Sequence, residues 1–296
     1  MDSLTFPSDA DGLEVHAYHW PAPSPRATVQ VVHGLSEHAP RYDRLARELV
    51  AAGYDVWAHD HRGHGASVDD RTPLGSFGAG GWEGLLSDVT RFSAHVEAQQ
   101  PGLPHFVVAH SMGSFALQVV LLDHSARYAG VVLSGSTAID VFAAGLPAPQ
   151  EGRSGDLSAF NAAFEHRTGY EWLSRDEAEV DAYVADPLCG QDSAPDVMPA
   201  LFSSPRVADP AELAGIDPDL ALLVVSGGDD PLAGGGELLH LLGQRYRDAG
   251  VRDVEVEVYP GARHEVFNET NRDEVTRRVI GWLDAHAGRA TARNSG

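Results

Sequence analysis

Short apolar runs alternate along this chain with longer stretches in which apolar residues recur at helical spacing. That is the pattern of a mostly parallel sheet covered by helices. The runs at residues 13–20, 28–33, 55–59, 105–109, 130–133, 221–226 and 254–259 are expected to be strands. The stretches at 41–52, 82–99, 112–122, 237–249 and 271–286 are expected to be helices. The first strand alternates polar and apolar positions, as an antiparallel edge strand does, whereas the later ones read as the continuous apolar runs of strands buried on both faces. The fold class is therefore α/β.

The rhythm breaks between Ile139 and Asp209, where Pro, Gly, Ser and Asp are frequent and no strand is legible. Only short helical pieces, at 157–166 and 176–185, can be read there. An irregular connection of that length between two core strands implies an inserted subdomain. The expected organisation is a core at 1–138, a helical cap at 139–209 over the carboxyl edge of the sheet, a second core segment at 210–287, and a small polar tail at 288–296 that frays.

Composition narrows the class without naming a chemistry. With 296 residues, 43% of them hydrophobic and 22% charged, the chain can bury a large core unaided by metal or disulfide. Its one cysteine, Cys189, excludes an intramolecular disulfide. Forty-three acidic against 21 basic residues give a formal charge of −22, which repels phosphate backbones and anionic lipid and argues against a nucleic-acid partner. The opening residues lack a basic-then-apolar leader and no apolar run approaches the roughly 18 residues of a membrane helix, so no integral membrane segment and a cytoplasmic location are expected.

The chemistry is carried by His105-Phe-Val-Val-Ala-His-Ser-Met-Gly-Ser114, which passes from a strand directly into a helix. A serine at such a turn projects its hydroxyl above the sheet, and small neighbours are needed because the turn is tight. Ala109 stands where the usual Gly-x-Ser-x-Gly pattern has its first glycine, a departure the turn tolerates because alanine is still small. Ser111 is the candidate nucleophile, and the N–H of Met112, at the start of the helix, is a candidate oxyanion donor.

A nucleophilic serine needs a base and the base an orienting acid, in the chain order Ser, Asp, His. Of the downstream histidines, His124, His240 and His286 lie on helices and His166 in the cap. His264 follows a strand, in the turn-rich Tyr-Pro-Gly-Ala-Arg-His, and is the candidate base. The preceding strand ends in Ser-Gly-Gly-Asp-Asp-Pro-Leu232. Proline fixes the backbone after Asp230, which is the candidate acid, leaving Asp229 to cap the loop. After the 28–33 strand, Gly34 permits close approach and the Leu35 N–H is the candidate second oxyanion donor. His33 reads as a packing residue rather than a catalyst. His33, Gly34, His110, Tyr170 and Trp172 are expected to border the substrate, although Tyr170 and Trp172 fit the core of the cap equally well.

These pieces resemble the monoacylglycerol lipase and lysophospholipase branch of the α/β-hydrolases, of serine aminopeptidase S33 type. The matching segments are His33-Gly-Leu-Ser-Glu-His-Ala-Pro-Arg-Tyr42, Ala58-His-Asp-His-Arg-Gly-His-Gly-Ala-Ser67, the His110-Ser-Met-Gly113 turn, Gly227-Gly-Asp-Asp-Pro231 and Gly261-Ala-Arg-His264, in the family's order. The stretch from Glu171 to Gly190 is similar to a bacterial lysophospholipase-like subgroup. The resemblance implies hydrolysis of a small-molecule or lipid ester through an acyl-enzyme on Ser111, with no cofactor.

Other readings are weaker. His59, His61 and His64 crowd one loop without the carboxylate or cysteine spacing of a metal site, so no metal is expected. Cys189 lacks a partner for nucleophilic work, and Gly234–Gly236 lacks the spacing of a phosphate loop. On the same fold a short-chain carboxylesterase, a lactone hydrolase or a proline-iminopeptidase-like aminopeptidase would share the triad. The peptidase would hold an ammonium with acids in the cap, where Glu151, Asp156, Glu165 and Glu171 are available. A non-catalytic binding protein would be expected to have lost a triad member, and none is lost here.

Overall fold

The computed structural model describes residues 1–146 and 157–294. Its strands are β1 (Asp2–Pro7), β2 (Glu14–Trp20), β3 (Ala27–Val32), β4 (Tyr54–His59), β5 (His105–His110), β6 (Gly130–Ser134), β7 (Ala221–Gly227) and β8 (Asp253–Tyr259). They form one sheet in the order β1-β2-β4-β3-β5-β6-β7-β8, in which β2 alone runs against its neighbours. The helices are α1 (Asp43–Ala51), α2 (Gly81–Gln99), α3 (Met112–His124), α4 (Ile139–Gly145), α5 (Glu177–Ala185), α6 (Val197–Leu201), α7 (Pro210–Leu213), α8 (Glu237–Asp248) and α9 (Arg272–Asn294).

Strand geometry sorts side chains to two faces. On β5, Phe106 and Val108 join a core with α1 and α9, while Val107 and Ala109 join the opposite core with α2, α3 and α8. Every residue from Met112 to Leu122 is buried, so α3 is packed all round. Each of its Met, Phe, Leu and Val side chains is worth about 1.5–3 kcal/mol when fully buried, which fixes the helix that carries Met112. Between β6 and β7 the described residues form short helical segments joined by irregular chain, with no strand, and Leu157, Trp172, Leu173, Tyr183, Val197, Leu201 and Val207 extend the α2–α3–α8 core.

Four expectations are corrected. The first strand expected is not at the edge, because β1 pairs outside it. β1 has a single buried residue, Phe6, and so gives almost no hydrophobic pattern. β8 is half-buried and alternating rather than continuously apolar, with Glu255 and Glu257 reaching Arg278 of α9. The segment read as helix at 157–166 is a shorter 3-10 stretch, Leu157–Ala163. Finally, α9 continues to Asn294 through most of the expected tail, of which 295–296 lie outside the described residues. No helix among the described residues is long and apolar enough to cross a membrane.

Candidate active site

The candidate residues gather at the carboxyl ends of β3, β5, β7 and β8, where open α/β sheets place their ligands. Ser111 links β5 to α3 with φ +51°, a left-handed conformation rare outside glycine. The core braces this turn. Ser111 N–H donates to the Ser134 carbonyl at 2.9 Å, and the Ser111 carbonyl accepts the N–H and hydroxyl of Ser114 at 2.8 and 2.7 Å. Ser114 thus supplies a tether. Gly113, the last residue of the motif, admits no side chain, since a Cβ there would meet the Val32 and His33 carbonyl oxygens at 2.3 and 2.5 Å.

His264 and Asp230 are both buried, and His264 Nδ1 donates to Asp230 Oδ2 at 3.0 Å. Asp230 is itself held by the Ser226 hydroxyl at 2.5 Å and the Leu232 N–H at 2.9 Å, while Asp229 is exposed. Burial works against the charged imidazole, but the Asp230 carboxylate, helped by Glu265 and Glu37, outweighs it and lifts His264 above its ordinary value. Burial likewise opposes Asp230 ionisation, and the His264 charge and these hydrogen bonds bring its value below normal. His264 Nε2 is buried without a partner, and no hydrogen bond joins it to Ser111 in the cavity both residues line. In ligand-free hydrolases this bond is often long and tightens in the Michaelis complex.

Leu35 and Met112 line the same cavity. Met112 begins α3, so its N–H has no intrahelical acceptor. Gly34 lies beside Ser111: a Cβ on it would stand 3.1 Å from Ser111 Cβ and 2.7 Å from Glu37 Oε1.

The cavity is narrow and partly open to solvent. Its walls are mostly apolar, with Phe115, Phe160, Trp172, Met198, Phe202 and Leu232, and its polar lining includes His110, Glu37 and Glu265. Burial and the neighbouring His264 push His110 down to about 3, so it is neutral. Two expected neighbours are placed elsewhere. His33 is fully buried outside the cavity, donating from Nδ1 to the Gly34 carbonyl and accepting the His61 N–H on Nε2 at 2.9 Å. Tyr170 lies behind Tyr183, ring centroids 5.1 Å apart, and donates to the Gly190 carbonyl. Trp172 does line the cavity, its ring 4.8 Å from that of His264. His59, at the end of β4, and His61 and His64, in the loop that follows, pack edge-on in sequence and lie tilted against Phe92 and Phe77.

Sequence reasoning passed over a buried charge network. Arg41 donates to Glu37 at 2.6 Å and to both oxygens of Glu265 at 2.8 Å. Glu37 also accepts the Gly34 N–H and the Tyr42 hydroxyl, so the network joins the loop carrying Leu35 to the residue after His264. Burial raises Glu37, whereas the Arg41 charge overcomes burial and holds Glu265 down at about 2. Glu37 and Arg41 stand in a motif legible in the sequence; their partnership with Glu265, 224 residues on from Arg41, was not.

A family model described as serine aminopeptidase, S33, matches residues 23–271. A monoacylglycerol lipase of Mycolicibacterium smegmatis is 29% identical over 285 residues, spanning 90% of this chain and 91% of that one. The human monoglyceride lipase is 32% identical over 193 residues, spanning 61% of this chain and 58% of its own. Among solved structures, a thermostable carboxyl esterase from Bacillus coagulans in complex with glycerol superposes with a TM-score of 0.83, at 26% identity, over 97% of this chain and 98% of that one.

Proposed function

The chain belongs to the serine aminopeptidase S33 family of α/β-hydrolases, and we propose that this carboxylic ester hydrolase acts on monoacylglycerol-type lipid esters through an acyl-enzyme on Ser111. The observation that carries the reading is a strained serine beside a buried His264–Asp230 pair at the wall of a largely apolar cavity.

In this mechanism Ser111 Oγ attacks the ester carbonyl carbon and its proton passes to His264 Nε2. Asp230 stabilises the imidazolium through Nδ1–H, while the N–H groups of Leu35 and Met112 hold the oxyanion. Collapse of the tetrahedral species breaks the bond to the alcohol, which leaves with the proton from His264. Water deprotonated by His264 then attacks the acyl-enzyme and releases the acid. The apolar wall suits an acyl chain, and the polar lining suits the hydroxyls of a glycerol-like alcohol. The connection at 139–209, which contributes much of the wall, serves as a cap.

An aminopeptidase is disfavoured by the state of the acids in and around the cavity. Glu37 and Glu265 are already paired with Arg41, Glu165 is exposed, and Glu171 is occupied by Thr168 and Asn161; Glu151 and Asp156 lie outside the described residues. The test is hydrolysis of p-nitrophenyl esters from acetate to palmitate beside 1-monoacylglycerols, lysophosphatidylcholine and aminoacyl-nitroanilides. Turnover of monoacylglycerols with a preference for medium or long acyl chains is expected. Activity confined to short esters would replace the lipid substrate with a general carboxylesterase, and anilide cleavage alone would replace it with a peptidase.

A further inference from the structure

Ser36 is the other non-glycine residue with a left-handed backbone among those described, at φ +57°, and it is fully buried. It stands between Leu35 and Glu37, in the loop that approaches Ser111 through Gly34. An L-residue held there costs on the order of 1–3 kcal/mol and persists only where its surroundings over-determine it.

Those surroundings are distant in sequence. The Ser36 carbonyl accepts the Gly190 N–H and the Tyr183 hydroxyl, each at 2.9 Å, and the Ser36 hydroxyl donates to the Gln191 carbonyl, also at 2.9 Å. Two residues on, His38 Nε2 meets Asp186 Oδ2 at 2.9 Å. The Tyr183 ring carries Arg41 over its face at 4.8 Å, and Gly190 is held from behind by Tyr170. All of these partners but Arg41 belong to the connection between β6 and β7, so the strained turn is imposed by the insertion and not by the sheet.

We propose that residues 183–191 form a clamp that sets the Leu35 N–H for the oxyanion, making Ser36 and Tyr183 positioning residues for the esterase reaction. The clamp rests on the assignment of Leu35 as an oxyanion donor. An insertion that shapes the substrate cavity therefore also shapes the catalytic loop, and displacing it loosens both. Ser36 does not line the cavity, and Tyr183, which does, keeps its ring in a phenylalanine variant, so positioning can be separated from substrate contact.

Ser36→Ala removes the bond to Gln191, and Tyr183→Phe removes the hydroxyl bond to Ser36 while keeping the ring beneath Arg41. Both variants and the wild type are assayed on a p-nitrophenyl ester for kcat and KM, for the rate of fluorophosphonate labelling, for the pH profile and for thermal midpoint. Complete loss of an oxyanion donor costs about 10²–10³ in kcat; a displaced donor is expected to cost about tenfold. Labelling should slow in parallel, because the phosphoryl oxygen occupies the same hole, with KM and the pH limb set by His264 unchanged. Either variant suffices if the other does not fold. An active wild type whose folded variants keep kcat, or lose only in KM, overturns the clamp alone. A wild type that neither hydrolyses the ester nor takes the label overturns the hydrolase reading and the clamp with it.

Discussion

Ser111 and Ser36 both take a positive φ, rare outside glycine, within one site, yet different parts of the molecule hold them there. Ser111 is braced by its own strand, the adjacent strand β6 and a helix buried on every side. Ser36 is braced by Tyr183, Gly190 and Gln191, roughly 150 residues further on, in the last turn of α5 and the loop that follows it. The nucleophile is thus tied to the most tightly packed part of the fold, and the loop beside it to the part whose sequence is least regular. Stability is not uniform across a structure, and local opening favours irregular segments over core elements. Changes on the core side should accordingly strike chemistry with the fold intact, and changes on the insertion side should strike geometry and stability together.

The largest effect is expected on the core side. Asp230→Asn keeps the shape but favours the wrong imidazole tautomer, lowering kcat about 10⁴-fold. In the wild type, activity requires neutral His264, whose value is raised, so kcat/KM should climb through a limb above the ordinary imidazole value of about 6.5. With the carboxylate gone burial prevails, and the residual activity should follow a limb below it.

Next comes Arg41→Met, where the two halves of the site meet. It strands two buried carboxylates and is expected to cost about 3–5 kcal/mol of stability, read by denaturant unfolding. The pH dependence sharpens this. Glu265 is depressed to about 2 in the fold, so its contribution is full above the unfolded value of about 4.3 and is lost as pH falls toward 2. The deficit of the variant should therefore be smallest in acid, where both carboxylates protonate. An unchanged deficit at low pH would separate the network from the stability of the site.

The third effect is confined to the loop. In Gly34→Ala the new methyl meets Glu37 Oε1 at 2.7 Å and Ser111 Cβ at 3.1 Å, so the loop must withdraw from the nucleophile. A loss of about 10² in kcat is expected at nearly unchanged thermal midpoint. Equal kcat in the two proteins would show that the approach of this loop to Ser111 is not catalytic.

The same division explains what could be read in the sequence. The inner parallel strands and α3 announce themselves because burial on both faces leaves nearly continuous apolar runs, and the turn at Ser111 announces itself because small residues must flank it. Asp230 could be preferred to its neighbour from the following proline alone, and the structure buries Asp230 while exposing Asp229. β1 escaped because one buried side chain makes no pattern. Tyr170 and Trp172 could not be separated in the sequence, since both are aromatic residues of one irregular stretch; only packing puts one against His264 and the other behind Tyr183. Ser36, Arg41 and Glu265 escaped because their meaning lies in partners more than a hundred residues away.

The central claim, that Ser111 is the nucleophile activated by His264, is tested most directly by intact-mass measurement after exposure to a fluorophosphonate. The account predicts a single adduct on the wild type, mapping to Ser111, with none on Ser111→Ala and strongly slowed labelling of His264→Ala. A wild type that stays unlabelled, or an adduct that persists in Ser111→Ala, would contradict it.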